Sequence, residues 1–188
     1  MITTETKEKN LKLFFKKLSQ LGINSECLES MYGEKILNAS FTNSNEYGNA
    51  YDGSFLEIVL KKLTPYAVKL NELLPEDKRV DKNSLVKICL LHQIAKAIRL
   101  VPNDNQWEVE KRGFVYKYDS NLPSIRTGLH SLVMCQNCGI QFTAEEAEAM
   151  TVNDRDMTDE QARWFSSVMA TIVRQASELT YLEINDKK

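Results

Sequence analysis

The stretch KICLLHQIAKAI, residues 87–98, is apolar on nearly every face of a helix. An amphipathic surface helix keeps one polar side, and one that lacks it has to be covered all round. This segment is therefore expected at the centre of the molecule. Asp81 or Asn83 offers the side-chain oxygen that caps such a helix, and the apolar pattern carries it to about Leu100.

Outward from that centre, the apolar period stays helical. Leu11, Phe14, Phe15, Leu18 and Leu21 recur at three and four, with lysines on the other face, and Gly22 ends the first helix. Residues 38–53 are dense in Asn, Ser and Gly, which favour loops. Phe55, Leu56, Val59, Leu60, Leu63, Ala67, Leu70 and Leu74 then form a second stripe, closed by Pro75. Between Pro102 and Pro123, Trp107 and Val109, then Phe114, Tyr116 and Tyr118, alternate with polar residues around KRG, which predicts a β-hairpin. Thr143 with Glu146, and Thr158 with Gln161, read as capping boxes opening the last two helices. The final helix carries Trp164, Phe165, Val168, Met169, Ile172, Val173, Ala176, Leu179 and Tyr181. The expected fold is an all-α domain of six or seven helices with a small β-hairpin insertion.

The chain has 188 residues, 43% apolar and 27% charged, with a net charge of -2. That composition is ordinary for a soluble globular domain and supplies no whole-molecule basic field for nucleic acid or anionic lipid. The opening MITTETKEKN has no apolar core of a signal peptide, and no run of about 18 apolar residues occurs, so an intracellular protein without a membrane partner is expected. Cys27, Cys89, Cys135 and Cys138 read as thiols in a reducing compartment, with Cys89 plain core.

In chain order, AYDGSFLE, LLHQIAKA, YDSNLPS and HSLVMCQNCGIQFTAEEAEAM resemble a compact branch of the HD phosphohydrolase superfamily known from bacterial and phage genomes. The resemblance implies an HD-domain-like helical bundle over residues 47–183, preceded by a helix and loop over 1–46 and followed by a tail over 184–188. It also implies one or two divalent ions held in a cup of helices, where bound metal activates water against a phosphate.

Position by position, the family's first histidine falls on Ile58, its His-Asp pair on His92 and Gln93, later histidines on Thr127 and Asn153, and its last aspartate on Ser177. Only His92 is retained. A shift of one or two residues in the last three segments brings Arg126, Asp154 or Glu178 into the matched place. Ile58 cannot ligate, and a Gln amide is a weak ligand for such ions. The expectation is a catalytically inactive pseudo-phosphohydrolase with no cofactor, serving as a binding or structural module. If phage-encoded, it would act in the host cytoplasm or the virion. Its expected partner is a protein or a second copy, with nucleotide or nucleic acid as the other choices. The alternative is a divalent-metal phosphohydrolase acting on nucleotides, using His92 with some of Asp52, Asp154 and Glu178.

Three further constellations are weighed against plain structural roles. Tyr51, Asp52, His92, Gln93, Lys96, Arg126 and Asp154 would line a residual pocket, with Lys96 one turn after His92; His92 is otherwise a hydrogen-bonded interior residue. Cys135 and Cys138, with His130 upstream, have zinc-knuckle or redox spacing but no second pair, which favours structural thiols. Trp107, Tyr116 and Tyr118 beside Lys111, Arg112 and Lys117 combine stacking faces and cations, as single-strand binders do, whereas hairpin packing explains the same alternation.

Overall fold

Thr3 starts the first helix of the computed structural model, which describes residues 2–154 and 166–185. Its hydroxyl accepts the Thr6 amide at 3.2 Å, and α1 (Thr4–Gln20) buries Phe14, Phe15 and Leu18. Helix α2 (Glu26–Asn38) has no counterpart among the expected helices; it buries little beyond Leu28 and Ile36. The loop over 39–53 contains one 3₁₀ turn, Asn45–Tyr47.

The second expected stripe forms α3 (Ser54–Ile58), a π-helical turn (Val59–Leu63) and α4 (Thr64–Leu73). Pro65 explains the π turn. It has no amide hydrogen for the Lys61 carbonyl, so the ladder slips and the Thr64 amide bonds Val59 O instead.

Asp81, rather than Asn83, caps α5 (Lys82–Leu91): its carboxylate accepts the Ser84 amide at 2.7 Å. Leu85, Ile88, Cys89, Leu90 and Leu91 are all buried, and α5 meets α4 and the later helices, as an all-apolar helix must. The helix does not run unbroken to Leu100. Between His92 and Ala95 the chain tightens to bonds three residues back, from Ile94 N to Leu91 O and from Lys96 N to Gln93 O, both 3.0 Å. The Ala95 amide goes to the Ser131 hydroxyl at 3.0 Å. The short α6 (Lys96–Arg99) follows.

Leu100 then opens β1 (Leu100–Pro102), which pairs antiparallel with β2 (Tyr116–Tyr118), Leu100 opposite Tyr118. The expected insertion is present, but Trp107 and Val109 are not on a strand. They lie on α7 (Gln106–Arg112), because the Asn105 side chain caps that turn at the Glu108 amide and Gly113, at φ 68°, ends it.

Helix α8 (Thr127–Asn137) leads to α9 (Ala144–Thr151), whose capping box forms in both directions between Thr143 and Glu146. Glu146, almost fully buried, is also paired with Lys87 at 2.8 Å. The last described helix is α10 (Val168–Asn185). The Thr158–Gln161 box, Trp164 and Phe165 lie outside the described residues. The fold is all-α with a small two-stranded insertion. One core takes Phe14, Leu28 and Ile36 together with Leu56, Ile88, Ala149 and Val173, and it reaches Ile184, the first residue of the expected tail.

Cys27 and Cys138 are not free thiols but a disulfide, with Cα atoms 5.3 Å apart. With those two bonded, the cysteine content no longer points to a reducing compartment. No described helix is long and apolar enough to cross a membrane.

Candidate functional site

The break after α5 brings the largely buried His92 and Gln93 to the wall of a cavity of about 400 Å³. Its other walls are the start of α8, the 3₁₀ turn Val152–Asp154 and the face of α10 bearing Arg174, Ser177, Glu178 and Tyr181. His92, Gln93, Thr127, Asn153 and Ser177, five of the six positions matched to ligands, thus line one cavity, with Lys96 and Asp154 beside them. Ile58, the sixth, is packed in the core and does not line it. Arg126 lines an adjoining cavity of about 440 Å³ that shares Tyr118, Thr127, Asn153 and Asp154 with the first.

Tyr51 and Asp52, expected to roof the pocket, do not line it. The Tyr51 hydroxyl donates to Glu57 at 2.8 Å, and Asp52 accepts the Tyr116 hydroxyl at 2.6 Å with Lys7 at 3.8 Å. Both tyrosine hydroxyls are pushed up in pKa, first by burial and then by the carboxylate each one faces.

His92 Nδ1 lies 3.2 Å from Ile88 O. A carbonyl only accepts, so Nδ1 carries the proton and Nε2 is a bare acceptor. Nε2 is buried without a partner among the described residues, and so is Gln93 Oε1. Burial first, and then the Lys96 ammonium, push the imidazole pKa down to about 4, so the ring is neutral at neutral pH.

Lys96 is nearly buried. Its ammonium donates to Phe41 O at 2.7 Å and Tyr181 Oη at 3.1 Å, and it stands 4.0 Å from the Phe41 ring centroid. Asn153 Nδ2 donates to Ser177 Oγ at 3.0 Å. Arg174 and Glu178, one turn apart, pair at 3.9 Å.

This donor set does not fit a divalent metal. Among the described residues no three His, Cys, Asp or Glu side chains come together as ligands. The one aspartate in the cavity, Asp154, already accepts two backbone amides of α8. Three protein ligands are usual even for an open catalytic site.

The sequence reading leaves out Arg99, Arg174 and Tyr181 as cavity residues, and it offers Tyr118 only as a stacking face of the hairpin. Arg174, Ser177, Glu178 and Tyr181 share one face of α10 by their three- and four-residue spacing, and that signal was available once Ser177 had been singled out.

The other constellations resolve into structural roles. Cys138 is bonded to Cys27; Cys135 and Cys89 stay buried as thiols with pKa values pushed up to about 12, so Cys135 and Cys138 form no redox pair. His130 Nδ1 accepts from Arg99 at 3.3 Å. Tyr116 is buried, whereas Trp107 and Tyr118 are exposed on different elements, and Lys117 and Arg112 are engaged by Asp104 and Glu108. Stacking faces and free cations therefore do not form one row.

Compared with known proteins, the chain matches no family model, no curated protein and no solved structure.

Proposed function

We propose that the chain is a non-catalytic binding module built on an HD-like helical shell, a pseudo-phosphohydrolase whose ligand positions have become the lining of a polar pocket. The observation that carries this is the convergence of His92, Gln93, Thr127, Asn153 and Ser177 on one cavity while only His92 among them is a strong metal ligand. Residues so far apart in the chain have no local reason to meet, and a cup of metal ligands is one arrangement that brings such positions together. The neutral side chains also remove the like-charge repulsion of an empty carboxylate site.

The hydrolase alternative keeps one supporting feature, since Asp154 and Glu178 line the same cavity as His92. Asp154 is engaged by α8 amides and Glu178 faces Arg174, so neither is free to ligate without rearrangement.

Metal content of the freshly purified protein, measured alongside phosphate release from a nucleotide panel with added magnesium and manganese, tests the proposal. We expect substoichiometric metal, no phosphate release and a melting temperature unchanged by chelator. Near one transition metal per chain, lost in His92→Ala, would establish the hydrolase instead.

A further inference from the structure

In the walls of the two adjoining cavities, two buried acceptors have no hydrogen-bond partner and three cations face no carboxylate among the described residues. We infer that the site takes a small organic anion whose other end carries N–H donors, a ureido or primary-amide carboxylic acid being the simplest form. The inference rests on the proposal above, that the cavity is a binding pocket rather than a metal centre, and it adds the class of ligand.

The floor comes first. His92 is 1% exposed and Gln93 is 7% exposed, and both residues line the cavity. Each carries a buried acceptor, Nε2 and Oε1, with no partner among the described residues, so a donor in the cavity reaches them by a small turn of the two side chains. A buried acceptor left without a donor loses the hydration it had in water, so such groups are normally satisfied. The tautomer of His92 is set by Ile88 O, which leaves Nε2 able only to accept from a neutral ring. Gln93 can turn its amide, and it then needs an acceptor in place of a donor. A ureido or amide group offers N–H and C=O together and satisfies Gln93 in both orientations while donating to His92.

Charge fixes the other end. Lys96 has no carboxylate within ion-pair distance among the described residues; its ammonium bonds only Phe41 O and the Tyr181 hydroxyl. Arg99 places Nη1 on Pro123 O and His130 and lies against the Tyr118 ring, while its Nε is buried without a partner among the described residues. The side chain of Arg126, an exposed residue, makes no ion pair or hydrogen bond among the described residues. The two acids close by are taken, Asp154 by α8 amides and Glu178 by Arg174. The lining is therefore net positive: it repels a cationic donor such as an amine and attracts a carboxylate. The two cavities share Tyr118, Thr127, Asn153 and Asp154 in their walls, and the inferred ligand has to reach past these side chains from the His92 floor to the Arg126 rim.

The test is calorimetric titration of the full chain with N-carbamoylglycine, which carries both ends, against N-methylurea, which has only the donors, and acetate, which has only the charge. N-carbamoylglycine is expected to bind at least about tenfold more tightly than either fragment, a difference of about 1.4 kcal/mol. His92→Ala and the rim variant Arg126→Gln should each weaken it, and Arg126→Gln, being at the surface, keeps the test interpretable if the buried change unfolds the chain. Equal weak binding of acetate and N-carbamoylglycine would mean a general anion site and overturn the inference, as would undiminished binding in Arg126→Gln. No heat with any probe would mean that water alone fills the cavity, which also overturns it. Metal analysis of the same sample separates the two proposals. Stoichiometric metal refutes the module, whereas a metal-free protein that ignores N-carbamoylglycine refutes only the ligand class.

Discussion

Asp154 places both carboxylate oxygens on the first amides of α8, Oδ1 at 2.9 Å from Gly128 N and Oδ2 at 2.7 Å from Leu129 N. The carboxylate fills the place of a missing cap, since Arg126 makes no side-chain cap bond, and it meets the positive end of the helix dipole. The approach is possible because residue 128 has no side chain. A Cβ there would sit 2.4 Å from Met150 O and 2.8 Å from Asp154 Oδ2.

Gly128→Ala is accordingly expected to cost about 1 to 3 kcal/mol through forced movement of backbone. Asp154→Ala should cost about 1 to 2 kcal/mol as a lost cap. Urea unfolding of the two variants checks both, and a Gly128→Ala protein as stable as the parent would show that the contact is not as close as described.

The neutral His92 makes stability depend on pH. Its folded pKa lies near 4, below the ordinary 6.5, so the unfolded chain takes up the proton first as pH falls. Its contribution is complete above the ordinary pKa and is lost on going down through the window to the folded value. Between about pH 7.5 and about pH 5.0 the loss should come to about 2 kcal/mol. His130 shifts in the same direction but is only part-buried, so its share is smaller. Urea midpoints at the two pH values, in the parent and in His92→Gln, measure the effect, and the variant should show most of the slope removed.

The Cys27–Cys138 bond spans a sequence separation of 111 residues. Constraining an unfolded chain over such a loop is worth about 4 to 5 kcal/mol in the chain-entropy model. Reductant should lower the unfolding midpoint by a corresponding amount, and it should do nothing to the Cys27→Ala, Cys138→Ala double variant. Thiol titration of the unfolded protein should find the two buried cysteines, Cys89 and Cys135, before reduction and all four after it. Four thiols before reduction would exclude the bond.

Local chemistry made much of the architecture legible in the sequence. An apolar residue every third or fourth position can satisfy its burial only as a helix, and the oxygens of Asp81 and Thr143 sit at the distance a helix start requires, so the central helix, the 54–73 stripe and the opening of α9 could be read from neighbours alone. Helix α2 could not, because Leu28 and Ile36 make too thin a stripe to announce it. Residues 106–112 alternate as a strand would, and the cap at Asn105 with the left-handed Gly113 outweighed that alternation.

Only the tertiary structure decided where the central helix tightens and what meets there. The Ser131 hydroxyl reaches across from α8 to take the Ala95 amide, and Asp154 reaches across to the start of α8. The resemblance picked out His92, Gln93, Thr127, Asn153 and Ser177 but did not show that they share a wall, or that Ile58 and Asp52 stand apart from it. Periodicity reports which side of an element is buried. Which elements face one another follows from long-range packing, which no single segment encodes.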